Sequence, residues 1–236
     1  PSQLGYVMPA EWEPHDAIWL SWPYDPLTFE NMPEAEKAMA DIVTAIHTSE
    51  HVNLLVKNEA MKKKVTALLA KKKVDFAKIT VHIHDYADVW FRDYGPIFVV
   101  NRNENKDEKK KKEKIAMTHW IFNAWGNKYE ELLKDATIPE WINETMKIER
   151  FTPGIVLEGG SIEVNGRGTL LTSEQCLLNK NRNPHLSKQQ IEQYLDDFLG
   201  VKKIIWLKEG IVGDDTDGHV DDLARFVNPT TVLCAV

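Results

Sequence analysis

Between Gly213 and Arg225 one histidine, His219, stands among five aspartates, with glycines at 213 and 218. In an extended segment, period-2 alternation puts His219 and Asp221 on one face, joined by Asp217 if the segment starts early enough. An imidazole beside aligned carboxylates can move protons or grip a cation. Three other clusters could serve the same site from distant loops, as residues delivered by a rigid scaffold often do. The first runs from Met8 through His15 to Pro23 and holds Trp12, Trp19 and Trp22, rings that suit a core better than a ligand contact. In the second, Asp88-Val-Trp-Phe-Arg-Asp-Tyr-Gly-Pro96, Trp90 and Asp93 interrupt an otherwise apolar turn, and Arg92 could pair structurally with Asp88 or Asp93. The third is Leu157-Glu-Gly-Gly-Ser-Ile162, where two glycines either let backbone approach a ligand while Glu158 points in, or merely make a tight turn.

A histidine with several carboxylates, and no Lys or Arg singled out beside them, suits a guanidinium substrate. That group is planar and permanently charged, and carboxylates take its N–H donors in bidentate fashion. Its central carbon shares the charge with three nitrogens and is a poor electrophile. Attack there calls for a thiolate, and for an acid to release ammonia.

The elements that must carry these residues alternate between helix and strand. Met39, Ile42, Val43 and Ile46 fall at helical spacing within residues 34–47, and Val52–Val56 reads as a strand. Met61, Val65, Leu68 and Leu69 mark a second amphipathic helix, followed by strands at 79–84 and 96–100. Asn101–Lys114 is lysine-rich and nearly free of apolar side chains, which predicts a solvated hairpin loop before a strand at 115–122. Residues 161–172 read as a hairpin with Asn165-Gly166 in a type I′ turn. Ser187 and Gln190 form a capping box for a helix with Ile191, Tyr194, Leu195 and Phe198 inward, stopped at Gly200. Strands are expected at 203–207 and at 232–236. The last of these would be an apolar edge, and with no turn, cap or polar tail after it the chain reads as a fragment of a longer protein.

Composition sets outer bounds. The chain has 236 residues, 43% hydrophobic and 28% charged, which is the profile of a globular protein. It lacks a run of about 18 apolar residues, so neither a membrane span nor a membrane partner is expected. A net charge of −7 argues against nucleic acid as a partner, and leaves room for a small cationic one. Two cysteines, Cys176 and Cys234, make no disulfide framework and fit a reducing, cytoplasmic setting.

Six segments together carry a specific resemblance. Met8–His15, Trp90-Phe-Arg-Asp-Tyr-Gly-Pro96, Phe122-Asn-Ala-Trp-Gly-Asn-Lys-Tyr129, Glu158-Gly-Gly-Ser-Ile-Glu163, Cys176-Leu-Leu-Asn-Lys-Asn-Arg-Asn-Pro184 and Asp214-Asp-Thr-Asp-Gly-His-Val-Asp221 closely resemble, in order, the family of agmatine deiminases and Porphyromonas-type peptidyl-arginine deiminases. The resemblance implies a guanidine-modifying α/β fold: a pseudo-fivefold propeller of ββαβ modules, here one domain over residues 1–236 and incomplete at the C-terminus. It implies hydrolysis of agmatine to N-carbamoylputrescine and ammonia, with peptidyl-arginine or free arginine as the alternative substrates. Asp93 and Asp221 would grip the guanidinium, Trp90 would wall the pocket, and His219 would protonate the departing ammonia and then activate water. Glu158 would hydrogen-bond His219 and the substrate, keeping the imidazole charged. Asp217 would serve either the pocket or its loop. The resemblance calls for no cofactor and no metal, and allows a homo-oligomer.

One part of the family pattern has no counterpart here. The family's nucleophile is a cysteine in a Gly-rich His-Cys segment near the C-terminus, and this chain contains no such segment, so neither Cys176 nor Cys234 is assigned the role. Two other readings compete. One is a metal-dependent hydrolase with His219, Asp221, Asp217 and Asp93 as ligands, although the segment does not satisfy an EF-hand loop and zinc prefers more than one histidine. The other is a polypeptide that folds or binds without turnover.

Overall fold

The computed structural model describes residues 1–102 and 114–235. Two compact units emerge, one formed by Pro14–Phe91 and the other by Pro1–Glu13 together with Arg92–Val236.

In the Pro14–Phe91 unit, strands Ala17–Ser21, His51–Val56 and Ile79–Ile83 lie side by side in chain order and run parallel. Parallel neighbours need crossovers, and helices Met32–Ile46 and Glu59–Lys71 supply them. Each helix starts on an asparagine, whose side chain accepts the Glu34 N–H at Asn31 and the Met61 N–H at Asn58. The first helix begins two residues before the periodicity suggests, because Pro33 is tolerated in its opening turn. Val52, Leu54 and Val56 pack with Val43, Val65, Leu69 and Trp22, which makes Trp22 a core residue as expected.

The other unit, which holds Asp93, Glu158, His219 and Asp221, is built on three sheets. The first orders strands Tyr6–Val7, Ile97–Asn101, Lys114–Thr118 and Glu149–Phe151, with only the last pairing parallel. Asn101 pairs with Lys114, so the two strands flanking the lysine-rich stretch form a hairpin, while residues 103–113 lie outside the described residues. The second orders Lys203–Leu207, Thr169–Ser173 and Ile162–Val164. Helix Lys188–Leu199 makes the parallel crossover, opened by the Ser187–Gln190 capping box and closed by Gly200 at φ 69°. Its Ile191, Leu195 and Leu199 are buried in one core with Ile162 and Leu170, each contributing about 1.5–3 kcal/mol of transfer free energy. The third is a hairpin of Ala224–Asn228 with Thr231–Cys234.

Three local expectations change. Type I′ geometry would need a positive φ at Asn165, but positive values occur at Gly166 and Gly168 instead. The loop is longer, and the Asn165 side chain holds it by accepting the Arg167 and Thr169 N–H groups. The strand Ala224–Asn228 went unread: only its first half alternates, with Ala224 and Phe226 packed beside Leu171 and Val220, and Phe226 N–H donates to Glu163. The His219 segment is not extended: Asp217 and Gly218 both take left-handed φ, at 65° and 89°. No helix among the described residues is long and apolar enough to cross a membrane.

Candidate active site

Four segments of the second unit converge on His219. Asp93 stands on the one-turn helix Phe91–Tyr94. Glu158 precedes Gly159 and Gly160 at the entry to strand Ile162–Val164. Cys176 and Arg182 follow strand Thr169–Ser173, and the loop after strand Lys203–Leu207 brings Asp214 to Asp221.

A single carboxylate folds that last loop. Asp214 accepts from Thr216 N–H and O–H, Gly218 N–H and His219 N–H. Although burial pushes its pKa up, those donors hold it below the usual aspartate value. Alternation along a strand is therefore not what brings His219 beside Asp221. The imidazole Nδ1 lies 3.6 Å from Asp93 Oδ1 and 4.0 Å from Asp221 Oδ1.

The glycine pair permits this approach. A Cβ at Gly160 would overlap His219 Nδ1 and crowd Asp93 Oδ1, and one at Gly159 would collide with the Arg92 carbonyl. Gly160 N–H donates to Asp93 Oδ1 at 3.0 Å, and the Trp125 indole donates to Oδ2 at 3.2 Å. Burial first, then repulsion from Glu158 and Asp221, pushes the Asp93 carboxyl up to about 7. Burial likewise raises Asp221.

Arginine enters where the sequence singled none out. Arg182, with no side-chain exposure, donates from Nε to Glu158 Oε1 at 2.8 Å, from Nη1 to Asp217 Oδ2 at 2.7 Å and from Nη2 to the Thr216 carbonyl. Few arginines are so buried, and nothing in the Asn-Arg-Asn-Pro string marks this one out beforehand. Arg92 ion-pairs with Glu11 and lies 3.7 Å from Asp221, so its partners are not the nearby aspartates considered from sequence. Two expectations are corrected accordingly. Glu158 does not hydrogen-bond His219: its Oε1 is taken by Arg182, while Glu158 Oε2 and His219 Nε2 are buried without a partner. Nor is the imidazole charged, because burial and then the Arg182 charge push its pKa down to about 3.

Asp217 resolves toward support of the loop. Lys128, Asn181 and Arg182 all donate to it, and they outweigh burial to keep its carboxyl low. Trp90 belongs to the Pro14–Phe91 unit, where its ring is 41% exposed and its indole donates to Asp88. Cys234 is exposed, whereas Cys176 is fully buried with its thiol pushed well above its normal range by burial.

Among the described residues, one group could hold a metal: donor atoms of Glu158, Cys176 and His219 lie within 4.8 Å of one another. The Arg182 cation on Glu158 and the raised thiol both oppose a divalent ion there. The set His219, Asp221, Asp217 and Asp93 does not assemble, since Asp217 is committed elsewhere. What the arrangement offers is a neutral imidazole, an unpartnered carboxylate oxygen and two further carboxylates around one buried point.

Residues 7–236 match the model of the Porphyromonas-type peptidyl-arginine deiminase family. The chain belongs to that family. An agmatine deiminase of Stutzerimonas stutzeri is 42% identical over 241 residues, covering 100% of this chain and 61% of that protein. The solved agmatine deiminase of Enterococcus faecalis superposes with a TM-score of 0.86 at 36% identity, over 99% of this chain and 61% of its own. A C. jejuni agmatine deiminase with substrate bound gives 0.81 at 32% identity, over 96% and 63%. The chain thus spans about three fifths of the length of these relatives. Its architecture is the guanidine-modifying α/β fold of the deiminases.

Proposed function

We propose that this chain forms the substrate-gripping part of an agmatine deiminase, a hydrolase acting on the C–N bond of a guanidinium. The observation that carries this is the meeting of buried Asp93, Glu158 and His219 with half-buried Asp221, with one oxygen of Glu158 and Nε2 of His219 left without partners. A guanidinium offers that geometry its N–H donors, and burial makes each charged hydrogen bond count for more than it would in water. Asp93 and Asp221 take the guanidinium edge, and Glu158 Oε2 takes a further N–H.

With a neutral imidazole, the proton order runs from nucleophile to leaving group. His219 accepts the proton of an attacking thiol, the thiolate adds to the guanidinium carbon, and the imidazolium returns that proton as ammonia departs. Water, deprotonated by His219, then breaks the C–S bond and leaves a ureido product. We assign that thiol to neither Cys176, which lies in the core, nor Cys234, which is exposed on the terminal hairpin.

The test is calorimetric titration of the chain with agmatine, arginine, an arginyl peptide and putrescine, followed by a colorimetric search for ureido product. Binding of agmatine ahead of putrescine, without turnover, is the expected result. No affinity for any guanidino compound sinks the reading, and turnover by the chain itself moves the nucleophile to Cys234.

A further inference from the structure

The segment Phe122–Tyr129 takes no part in the reaction just described, yet it holds the longest run of positive-φ residues among the described residues. Ala124, Trp125, Gly126 and Asn127 have φ of 50°, 54°, 90° and 61°, four left-handed residues in a row. For the three non-glycines this costs about 1–3 kcal/mol each, and it persists only where the surroundings over-determine it. Here they do. Asn123 accepts the Gly126 N–H at 2.9 Å and donates to the Asn181 carbonyl at 2.9 Å. A Cβ at Gly126 would overlap the Asn181 side chain. Phe122 and Tyr129 meet the Trp125 ring edge-on, at 5.6 and 5.8 Å between centroids.

We propose that Trp125 is a positioning residue for Asp93: the left-handed turn aims its indole N–H at Oδ2, so that Oδ1, held by Gly160 N–H, faces His219. The distances are 3.2 Å, 3.0 Å and 3.6 Å. A relaxed turn would point the ring elsewhere, and Asp93 would keep one donor instead of two. The same segment docks the His219 loop, through Lys128 to Asp217 and the Asp215 carbonyl and through Tyr129 to Asp215. Both carboxylate-bearing segments therefore key to one short motif.

Two neutral donors, Gly160 N–H and the indole, favour the charged form of Asp93. The charged and titratable groups around it are His219 and Asp221 from the 214–221 loop, Glu158 ahead of the glycine pair, Cys176 after strand Thr169–Ser173, Arg182 on the far side of Glu158, and Arg92 next in the chain. Glu158 and Asp221 work against the charged form.

The experiment is a pH titration of the chain labelled with 13Cγ-aspartate and 15N-tryptophan, with Asp93→Asn used to assign the resonance. In the unsubstituted chain, the indole N–H of Trp125 should move with the Asp93 midpoint; an indole resonance that ignores that midpoint overturns the proposal without any tryptophan substitution. In Trp125→Phe, which keeps an aromatic ring but removes the indole N–H, the Asp93 midpoint should move upward, and an unchanged midpoint in a folded variant overturns it as well. The ligand arm rests on the guanidino reading above. Agmatine affinity should fall more in Trp125→Phe at pH 6 than at pH 8, whereas a merely structural tryptophan would lower it equally at both. If the unsubstituted chain binds no guanidino ligand, that reading fails while the two titration arms still decide the role of Trp125.

Discussion

His219 and Asp93 place opposite pH demands on the fold. The folded imidazole titrates near 3 against an ordinary value of 6.5, so the stability it contributes is present above 6.5 and lost as pH falls toward 3. The Asp93 carboxyl titrates near 7 against 3.8, so its contribution is complete below 3.8 and lost as pH rises through 7. Urea midpoints should show this: Asp93→Asn should lose less stability than the parent between pH 4 and 7, and His219→Gln should lose less than the parent between pH 6.5 and 4. Arg182 is the other decisive residue. Arg182→Met would leave Glu158 buried without a counter-charge and should cost about 3–5 kcal/mol of unfolding free energy. A loss below 1 kcal/mol would mean that the buried pair is not structural. His219, Glu158, Asp93 and Asp221, which the fold brings close together, stood out in the sequence through residue types suited to proton or cation chemistry and through the motif resemblance. Arg182 and Trp125 were not, since a guanidinium usually reads as surface and an indole as core, and only the fold reveals what each points at.

Elements were most readable where a local signal and the tertiary context agreed. The crossover helix Lys188–Leu199 had a capping box, an apolar face and a terminal glycine, and the structure uses all three. Ser187→Ala should lower stability by about 1 kcal/mol, measured by denaturant unfolding, and leave ligand affinity untouched. Where side chains organise the backbone, periodicity had little to say. Asp214 folds the His219 loop with four acceptor contacts, and Asn165 does the same for its hairpin loop. Such side-chain-to-backbone bonds replace a ladder and leave no apolar repeat to read. The Gly159-Gly160 pair shows the reverse case, in which a sequence hint had a steric cause. Gly160→Ala drives a methyl into His219 and Asp93, so it should abolish guanidino binding and lower the thermal midpoint, both measurable on one sample by ligand-shift thermal denaturation.

At the scale of the molecule, net charge matters to a cationic ligand before contact. With −7 overall, a guanidinium is drawn in at long range, and association should slow as salt shortens the screening length to about 8 Å at physiological ionic strength. Stopped-flow association across a salt series checks this, and a rate insensitive to salt would remove steering from the account. Binding should also release protons: a cation beside Asp93 lowers its pKa from about 7, so calorimetry at pH 6 in two buffers of different ionisation enthalpy should detect net proton release. Alternation of helices and strands read as α/β, and the guanidine-modifying fold was what the resemblance of the six ordered motifs implied, whereas the partition into two compact units left no sign in composition. The bonds that build the site also bear on how the chain folds. Arg182 reaches Glu158 and Asp217 across 24 and 35 residues, and Gly160 reaches Asp93 across 67. Closing such long loops costs entropy before any contact repays it. Refolding followed by far-ultraviolet dichroism should therefore run ahead of refolding followed by recovered ligand affinity, with the constellation around His219 the last thing to come into register.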